Sequence, residues 1–410
     1  MRVSLLTLGC RVNQAESSVL EGTLKENGVN VIDLKDNPDI CIVNTCAVTS
    51  KSDYNSRQLI RRAARAGAKV IVTGCYSQLR PHEVKAIPGV AGVVGNTNKY
   101  EIVSMLTGRP TELSFSLSSR SRPHLKVQDG CNFRCSYCSV PHARGTSRSV
   151  PPGIVIERAR AIESRGYKEI VLTGIHLGTY GHDLNTKSNL NILLKKLLLG
   201  TDTIRFRLSS LEIGEINEEL MEIMQSGRIC NHLHVPLQSG SDRILRLMDR
   251  RYTGEHYRER ILLVHEKVDN LSLGTDVIVG FPGEGDEEFS DTHKLISGIP
   301  FTYLHIFPYS PRPGTKAAEM RDTSSREAVA KRLAALREMD TLRRDSYKKL
   351  QLEGRLEVIL EDSRGGNLMC GTSRNYLKVL VAVQGQAKGS LVGVRPTELI
   401  DGMLRGNAIS

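Results

Sequence analysis

Along the first hundred residues, short apolar runs alternate with longer stretches in which apolar positions recur at helical spacing. "VSLLTLGC", "DICIVNTC" and "KVIVTGC" read as strands ending at Cys10, Cys46 and Cys75, with helices between them over 14–27 and 51–66. The order is βαβαβ, which calls for a parallel sheet. Ligands of such sheets gather beyond the carboxyl ends of the strands, so three cysteines far apart in sequence are expected on one edge. Residues 107–123, "TGRPTELSFSLSSRSRP", lack periodicity and are rich in Ser, Pro and Arg, which marks a linker, set here at 109–122. A second βα series follows, with strands expected over 124–129, 169–174, 203–209, 232–237, 273–280 and 302–308. Six such units predict a partial barrel whose active face lies at the strands' carboxyl ends. Residues 324–350 read as one long basic helix, and 354–410 turn to β-type alternation with glycine breaks, a small barrel comparable with those that bind oligonucleotides. The expected fold class is α/β in three units: an open parallel α/β layer over 1–108, a partial (βα)6 barrel with a terminal helix over 123–350, and a small β-barrel over 351–410.

Composition narrows the function. A chain of 410 residues exceeds one ordinary core. No apolar run approaches the roughly 20 residues that span a bilayer. The opening "MRVSLLTLGCRVNQ" turns polar at once and reads as a first strand and not a signal peptide, so no membrane partner and a cytoplasmic location are expected. Nine cysteines, an odd number with no secretory address, argue for metal or redox chemistry over a disulfide framework. A formal net charge of +11 suits a polyanionic partner.

"DGCNFRCSYCSVPHARG", residues 129–145, is the densest motif. Cys131, Cys135, Cys138 and His142 match a Cys3His zinc site, although structural zinc sites usually pair two short ligand clusters across a loop. Cys135 and Cys138 form a CxxC pair, which as a redox motif would leave Cys131 idle. The three thiolates also suit three corners of a 4Fe-4S cube, with the fourth iron open to a small molecule. The spacing alone leaves all three open.

CxxxCxxC with Tyr137 before the last cysteine, just after a first barrel strand, resembles the radical S-adenosylmethionine superfamily. The resemblance covers nearly the whole chain. "TLGCRVNQAES", "NTCAVT" and "TGCYSQ" resemble the amino-terminal domain of its methylthiotransferases. "LTGIHLGTYG", "RLSSLE", "HVPLQSGSDRILRLMDRRY", "DVIVGFPGE" and "FPYSPRPGTKAA" resemble their barrel, and the carboxyl end, with "GTSRNYLKV", resembles their RNA-binding TRAM barrel. One departure is Ile213, where relatives often carry proline. The family implies two 4Fe-4S clusters: a radical-generating one on Cys131, Cys135 and Cys138, which binds S-adenosyl-L-methionine and contacts it near Tyr137, and an auxiliary one on Cys10, Cys46 and Cys75. "GCRVNQAES" and "TGIHLGTYG" resemble the branch acting on N6-threonylcarbamoyladenosine beside the anticodon of tRNA. The isopentenyladenosine branch tends to read "GCQMN" at the first cysteine, and a third branch modifies a ribosomal protein. The implied partners are a tRNA anticodon stem-loop, an external electron donor and a sulfur source. The rival from another class is a non-catalytic RNA-binding or redox-sensing iron–sulfur protein.

Further candidates rest on position. Thr173 and Gly174 end a strand and are placed to meet the methionine part of the cofactor, or simply to turn the chain. Glu212 and Gln238 follow strands and are candidates for cofactor or nucleotide binding, against plain loop polarity. Asp276 reads as a cofactor contact or a buried structural carboxylate. Arg374 and Lys378, with Tyr376 for stacking, give the end barrel a candidate RNA surface, against ordinary surface charge. Cys41 reads as a buried apolar thiol, and His176 as a loop histidine.

Overall fold

The computed structural model describes residues 1–110, 120–321 and 324–409. The first layer runs β1 (Arg2–Thr7), α1 (Arg11–Glu26), β2 (Asn30–Val31), β3 (Ile40–Thr45), α2 (Ser50–Arg65), β4 (Lys69–Gly74), α3 (Cys75–Leu79), α4 (Pro81–Lys85), β5 (Val90–Val93) and α5 (Glu101–Thr107). Its strands form one parallel sheet in the order β2-β1-β3-β4-β5. Parallel strands covered on both faces are apolar at nearly every position, and β3 shows the consequence. Cys41 and Val43 face a core with Val70, Val72 and Ile60, while Ile42 faces the opposite one with Val3, Leu20 and Leu24. Cys41 is fully buried, as expected. Helix α1 begins three residues earlier than its periodicity suggests, because Cys10 itself adopts the extended cap conformation.

The barrel runs β6 (His124–Lys126), β7 (Gln128–Asp129), α6 (Val140–Arg144), β8 (Arg148–Ser149), α7 (Pro152–Ser164), β9 (Glu169–Thr173), α8 (Leu190–Gly200), β10 (Arg205–Leu208), α9 (Glu218–Gln225), β11 (His232–His234), α10 (Asp242–Leu247), α11 (Gly254–Lys267), β12 (Ser272–Val279), α12 (Asp286–Ser297), β13 (Tyr303–Pro308) and α13 (Arg326–Lys349). Parallel sheets β10-β9-β6 and β11-β12-β13 join through a bridge between Phe206 and Ile229, so six strands follow in chain order around an incomplete barrel. The strand expected over 124–129 divides. Val127 still donates to Thr173 O at 2.9 Å, but Gln128 and Asp129 leave to pair antiparallel with Ser149 and Arg148. That departure aims the cysteine loop over the barrel mouth. Most of the expected linker, residues 111–119, lies outside the described residues, and its end is no free tether. Arg122 is bound by Glu361 at 2.7 Å and Glu169 at 3.4 Å.

Strands β14 (Leu356–Gly365), β15 (Leu368–Ser373), β16 (Lys378–Ala382), β17 (Leu391–Ile400) and β18 (Met403–Ile409) close into a barrel in the order β14-β15-β16-β18-β17 around Val358, Leu360, Val379, Val381, Val394 and Leu404. It docks on the larger barrel through Arg207, whose guanidinium donates to Ser373 O at 2.9 Å and Arg374 O at 3.1 Å.

Candidate active site

Register brings the first cysteine set together. Thr7 lies opposite Asn44 and Asn44 opposite Thr73, so β1, β3 and β4 end level. Cys10 caps α1, Cys46 follows β3 and Cys75 opens α3. Two glycines in the left-handed region make the turns. A Cβ on Gly9 would lie 2.8 Å from Cys46 Cβ, and one on Gly74 would lie 2.4 Å from Thr45 O. Buried Asn13 donates to Leu8 O at 2.8 Å and to Thr45 O at 2.9 Å, lacing the Cys10 loop to the Cys46 loop. Burial pushes the Cys46 thiol up to about 11 and raises Cys10 as well, against the pull of Arg144.

The second set sits on the loop after β7. Gly130 (φ +72°) starts it, and a Cβ there would lie 2.0 Å from Thr146 O. The Gln128 amide, fully buried, donates to Gly130 O at 2.8 Å and accepts from the His176 N–H at 2.9 Å, so one side chain aligns the cysteine loop with the turn after β9. Ser136 N–H bonds Met248 O at 3.0 Å, and Ala317 N–H bonds Ser136 O at 2.8 Å. Burial lifts the Cys138 thiol to about 12, and raises Cys135 less because Arg250 lies beside it. Arg250 Nη1 is 3.5 Å from Cys135 Sγ and 3.1 Å from Glu212 Oε1. His176 lies in a loop, as expected, but is buried. It is 5% exposed, with Nδ1 3.5 Å from Cys131 Sγ and Nε2 facing Glu215. Burial favours its neutral ring, but Cys131 and Glu215 outweigh that and hold its pKa near 10. His142 borders the same cavity as the three cysteines and is exposed.

A buried charge group clamps the two sets together. Glu16 of α1 pairs with Lys99, with Lys126 at 2.9 Å and with Arg144 at 3.0 Å. Arg144, at the end of the short helix that follows Cys138, also binds Asp129 at 2.9 Å and donates to Asn13 Oδ1. Burial pushes the Glu16 carboxyl up, and the three cations overcome it and hold the carboxyl well below its usual range.

Between the layers lies a cavity of about 950 Å³. Cys10 and Cys46 line one side, and Thr173, Gly174, His234, Asp276 and His305 line the other. Thr173 is buried, and a Cβ on Gly174 would lie 2.9 Å from Gln128 Oε1, so bulk there would disturb the amide that holds His176. Asp276 Oδ1 accepts from His234 Nε2 at 3.0 Å and His305 Nδ1 at 3.2 Å, which against burial holds its carboxyl far below the usual range.

The other expected residues fall elsewhere. Glu212 is engaged by Arg250 and borders a second cavity with Phe133 and Tyr252. Gln238, at φ +67°, extends the edge of β12, its N–H bonding Asp276 O at 2.8 Å and its carbonyl accepting from Ile278, and it is absent from the cavity wall. Tyr137 packs edge-on against Phe281 beside Ile244 and Met248. Arg374, Tyr376 and Lys378 do not share an outer face. Arg374 donates to Ile229 O at 3.0 Å in the seam between barrels, and Lys378 is paired with Glu361. Tyr376 turns inward to the central cavity, where its ring lies 4.2 Å from His232. The end of β15 and the turn after it carry Arg374 and Tyr376 into the seam, while Lys378 stays exposed beside Glu361. Sequence reasoning missed Glu16, Arg144, Arg250 and Gln128, whose partners are distant in the chain.

The donor chemistry fits iron–sulfur clusters. Each set offers three soft thiols, and the raised proton affinities of Cys10, Cys46, Cys135 and Cys138 mean that a cationic cluster would displace protons on binding there. Comparison with known proteins agrees. A model of the radical SAM superfamily matches residues 125–296, and one of the uncharacterized protein family UPF0004 matches residues 2–95. The threonylcarbamoyladenosine tRNA methylthiotransferase MtaB of Bacillus subtilis is 37% identical, over 96% of this chain and 93% of its own. The enzyme of the same name from Aquifex aeolicus is 38% identical over 89% and 94%. A tRNA-2-methylthio-N(6)-dimethylallyladenosine synthase of Pelotomaculum thermopropionicum is 31% identical over 96% and 94%. Among solved structures, the radical S-adenosylmethionine methyltransferase TsrM from Kitasatospora setae, with cobalamin and a 4Fe-4S cluster bound, shares the fold at TM-score 0.59 over 77% of each chain, with 16% identity.

Proposed function

The chain belongs to the radical S-adenosylmethionine tRNA methylthiotransferases, and on that premise we propose that it adds a methylthio group to C2 of N6-threonylcarbamoyladenosine beside the anticodon of tRNA. The C2–H bond of adenine is neither acidic nor electrophilic, so acid–base and nucleophilic catalysis have no handle on it. Cys131, Cys135 and Cys138 would hold a cluster that, when bound with S-adenosylmethionine, would supply the one-electron chemistry such a bond requires. Cys10, Cys46 and Cys75 would hold the auxiliary cluster, which would supply sulfur chemistry to the same cavity.

The protein's own residues orient and enclose. Gln128 keeps the radical-cluster loop and the Gly174–His176 turn in one geometry. Arg250 neutralises thiolate charge at Cys135 while keeping Glu212 in place. The Glu16–Arg144 group fixes the spacing between the two cysteine sets. Thr173 and Gly174 meet the cofactor, and the base enters the central cavity after leaving the anticodon-loop stack, which single-stranded RNA permits readily. Chain segments 1–108, 123–350 and 351–410 act as the auxiliary-cluster, radical and RNA-binding domains. Among the described residues no helix is long and apolar enough to cross a membrane. We place the enzyme in the cytoplasm, supplied by an external electron donor and a sulfur source.

The observation that carries the reading is the cavity shared by the two layers, with Cys10 and Cys46 facing the strand end whose next turn sets His176 beside Cys131. Mass spectrometry of tRNA nucleosides with and without the gene tests it. The methylthio form of threonylcarbamoyladenosine is lost and its precursor accumulates. Disappearance of a different methylthio nucleoside refutes the substrate, and unchanged tRNA refutes the tRNA reading altogether.

A further inference from the structure

Four buried arginines in this molecule carry carboxylate partners: Arg144 with Glu16, Arg207 with Glu169, Arg250 with Glu212, Arg312 with Asp53. Arg11, among the described residues the only arginine on the wall of the central cavity, differs. Its Nη2 donates to the Tyr376 hydroxyl at 2.9 Å and its guanidinium lies 5.5 Å from that ring's centroid, yet among the described residues no carboxylate pairs with it. It stands one residue after Cys10, beside the place where the reacting base is enclosed.

Tyr376 is held rigidly enough to aim it. The tyrosine sits at φ +68° on the turn between β15 and β16, an unfavourable conformation for a bulky side chain. His232 at 4.2 Å, Tyr303 at 6.1 Å and the Arg207 guanidinium at 5.2 Å surround its ring. The wall continues from Tyr303 to His305, 5.1 Å between centroids. His305 gives Nδ1 to Asp276, which leaves Nε2 for another partner, and its side chain is 47% exposed. The Arg11 guanidinium, the Tyr376 phenol and an imidazole nitrogen of His305 thus share one polar face that runs round the cavity wall through Tyr303. An apolar dimethylallyl group against that face would desolvate an arginine and return nothing. An N6 substituent ending in a carboxylate matches it, because a guanidinium binds carboxylate through two parallel hydrogen bonds.

We propose that Arg11, positioned by Tyr376, is the specificity-determining residue that binds the carboxylate of the substrate's N6 side chain, with His305 Nε2 contacting the polar group next to it. The inference rests on the threonylcarbamoyladenosine reading and deepens it.

Anisotropy titrations at fixed salt test it with three synthetic anticodon stem-loops, bearing threonylcarbamoyladenosine, its methyl ester, or unmodified adenosine. The cluster-loaded enzyme binds the acid roughly 10- to 100-fold more tightly than the ester, the worth of a charge-assisted hydrogen bond. Arg11→Gln loses that preference and Arg11→Lys recovers part of it. Tyr376→Phe raises KM for the acid more than it lowers kcat, as expected of a positioning residue. The ester comparison needs no variant, so a misfolded mutant cannot obscure it. Wild-type affinities for acid and ester that agree within about twofold overturn the inference, as does an Arg11→Gln enzyme that keeps the preference. The underlying reading fails separately: wild-type enzyme that methylthiolates an isopentenyladenosine stem-loop and leaves the threonylcarbamoyl one untouched refutes the substrate itself.

Discussion

Replacing Glu16 by glutamine removes one charge from a group of five buried or nearly buried side chains, Glu16, Asp129, Lys99, Lys126 and Arg144. Two carboxylates against three cations give a net charge of +1, and the variant carries +2 in the same space. Glu16, Lys99 and Arg144 have side chains no more than 2% exposed, so water cannot screen the excess. Removing one partner of such a buried pair costs about 3–5 kcal/mol. With an unfolding entropy of about 2.1 cal/mol/K per residue, that lowers Tm by about 4–6 °C if the chain unfolds as one, and by about three- to fourfold more if the first layer releases alone. The sign of the pH dependence follows from the depressed Glu16 carboxyl. Its stabilisation is complete above the unfolded value of about 4.3 and is lost as pH falls through the folded one. Calorimetry of wild type and Glu16→Gln at pH 7 and at stepwise lower pH reads both effects. The gap is widest near neutrality, begins to narrow below about pH 4 and closes only as pH passes the depressed folded value. Tm values at pH 7 that agree within about 1 °C, or a gap that persists unchanged into acid, would refute the reasoning.

Further tests follow from the same geometry. Alanine at Cys10, Cys46 or Cys75, and separately at Cys131, Cys135 or Cys138, each lowers bound iron and sulfide from about eight to about four atoms per chain by chemical analysis. Gly74→Ala drives a Cβ into the Thr45 backbone and spreads the ends of β3 and β4, so it removes the auxiliary half of the iron while the radical half stays, and full retention of iron contradicts the close packing. Arg250→Gln withdraws the cation beside Cys135, so alkylation of that thiol in metal-free protein slows and its rate–pH profile moves to higher pH, whereas an unmoved profile denies the contact. Cys41→Ser leaves iron content unchanged, since that thiol is fully buried in the sheet and pushed up to about 12 by burial.

Much of the architecture was legible in the chain because it is written in local period and spacing. Apolar runs of strand length located β1, β3, β4 and the six barrel strands within a few residues, and their level endings follow from a parallel sheet joined by helices of similar length. CxxxCxxC needs only its own spacing to present three thiols. The sequence misled where a neighbouring element takes over a residue. Gln128 and Asp129 continue an apolar strand pattern yet leave the sheet for Arg148 and Ser149, and Tyr376 belongs to the end barrel yet faces the central cavity.

What the sequence by itself determined is the kind of chemistry: two sets of three cysteines, the βα layers that carry them, and the family whose motifs they match. Only the tertiary structure decided how the sets are held and what lines the central cavity. Arg144 meets Glu16 across 128 residues, Arg250 meets Cys135 across 115, and Arg11 meets Tyr376 across 365. No local period encodes such pairs. They exist because packing the first layer and the two barrels against one another leaves these polar groups in the seams, where burial forces each charge to find a partner or to wait for one.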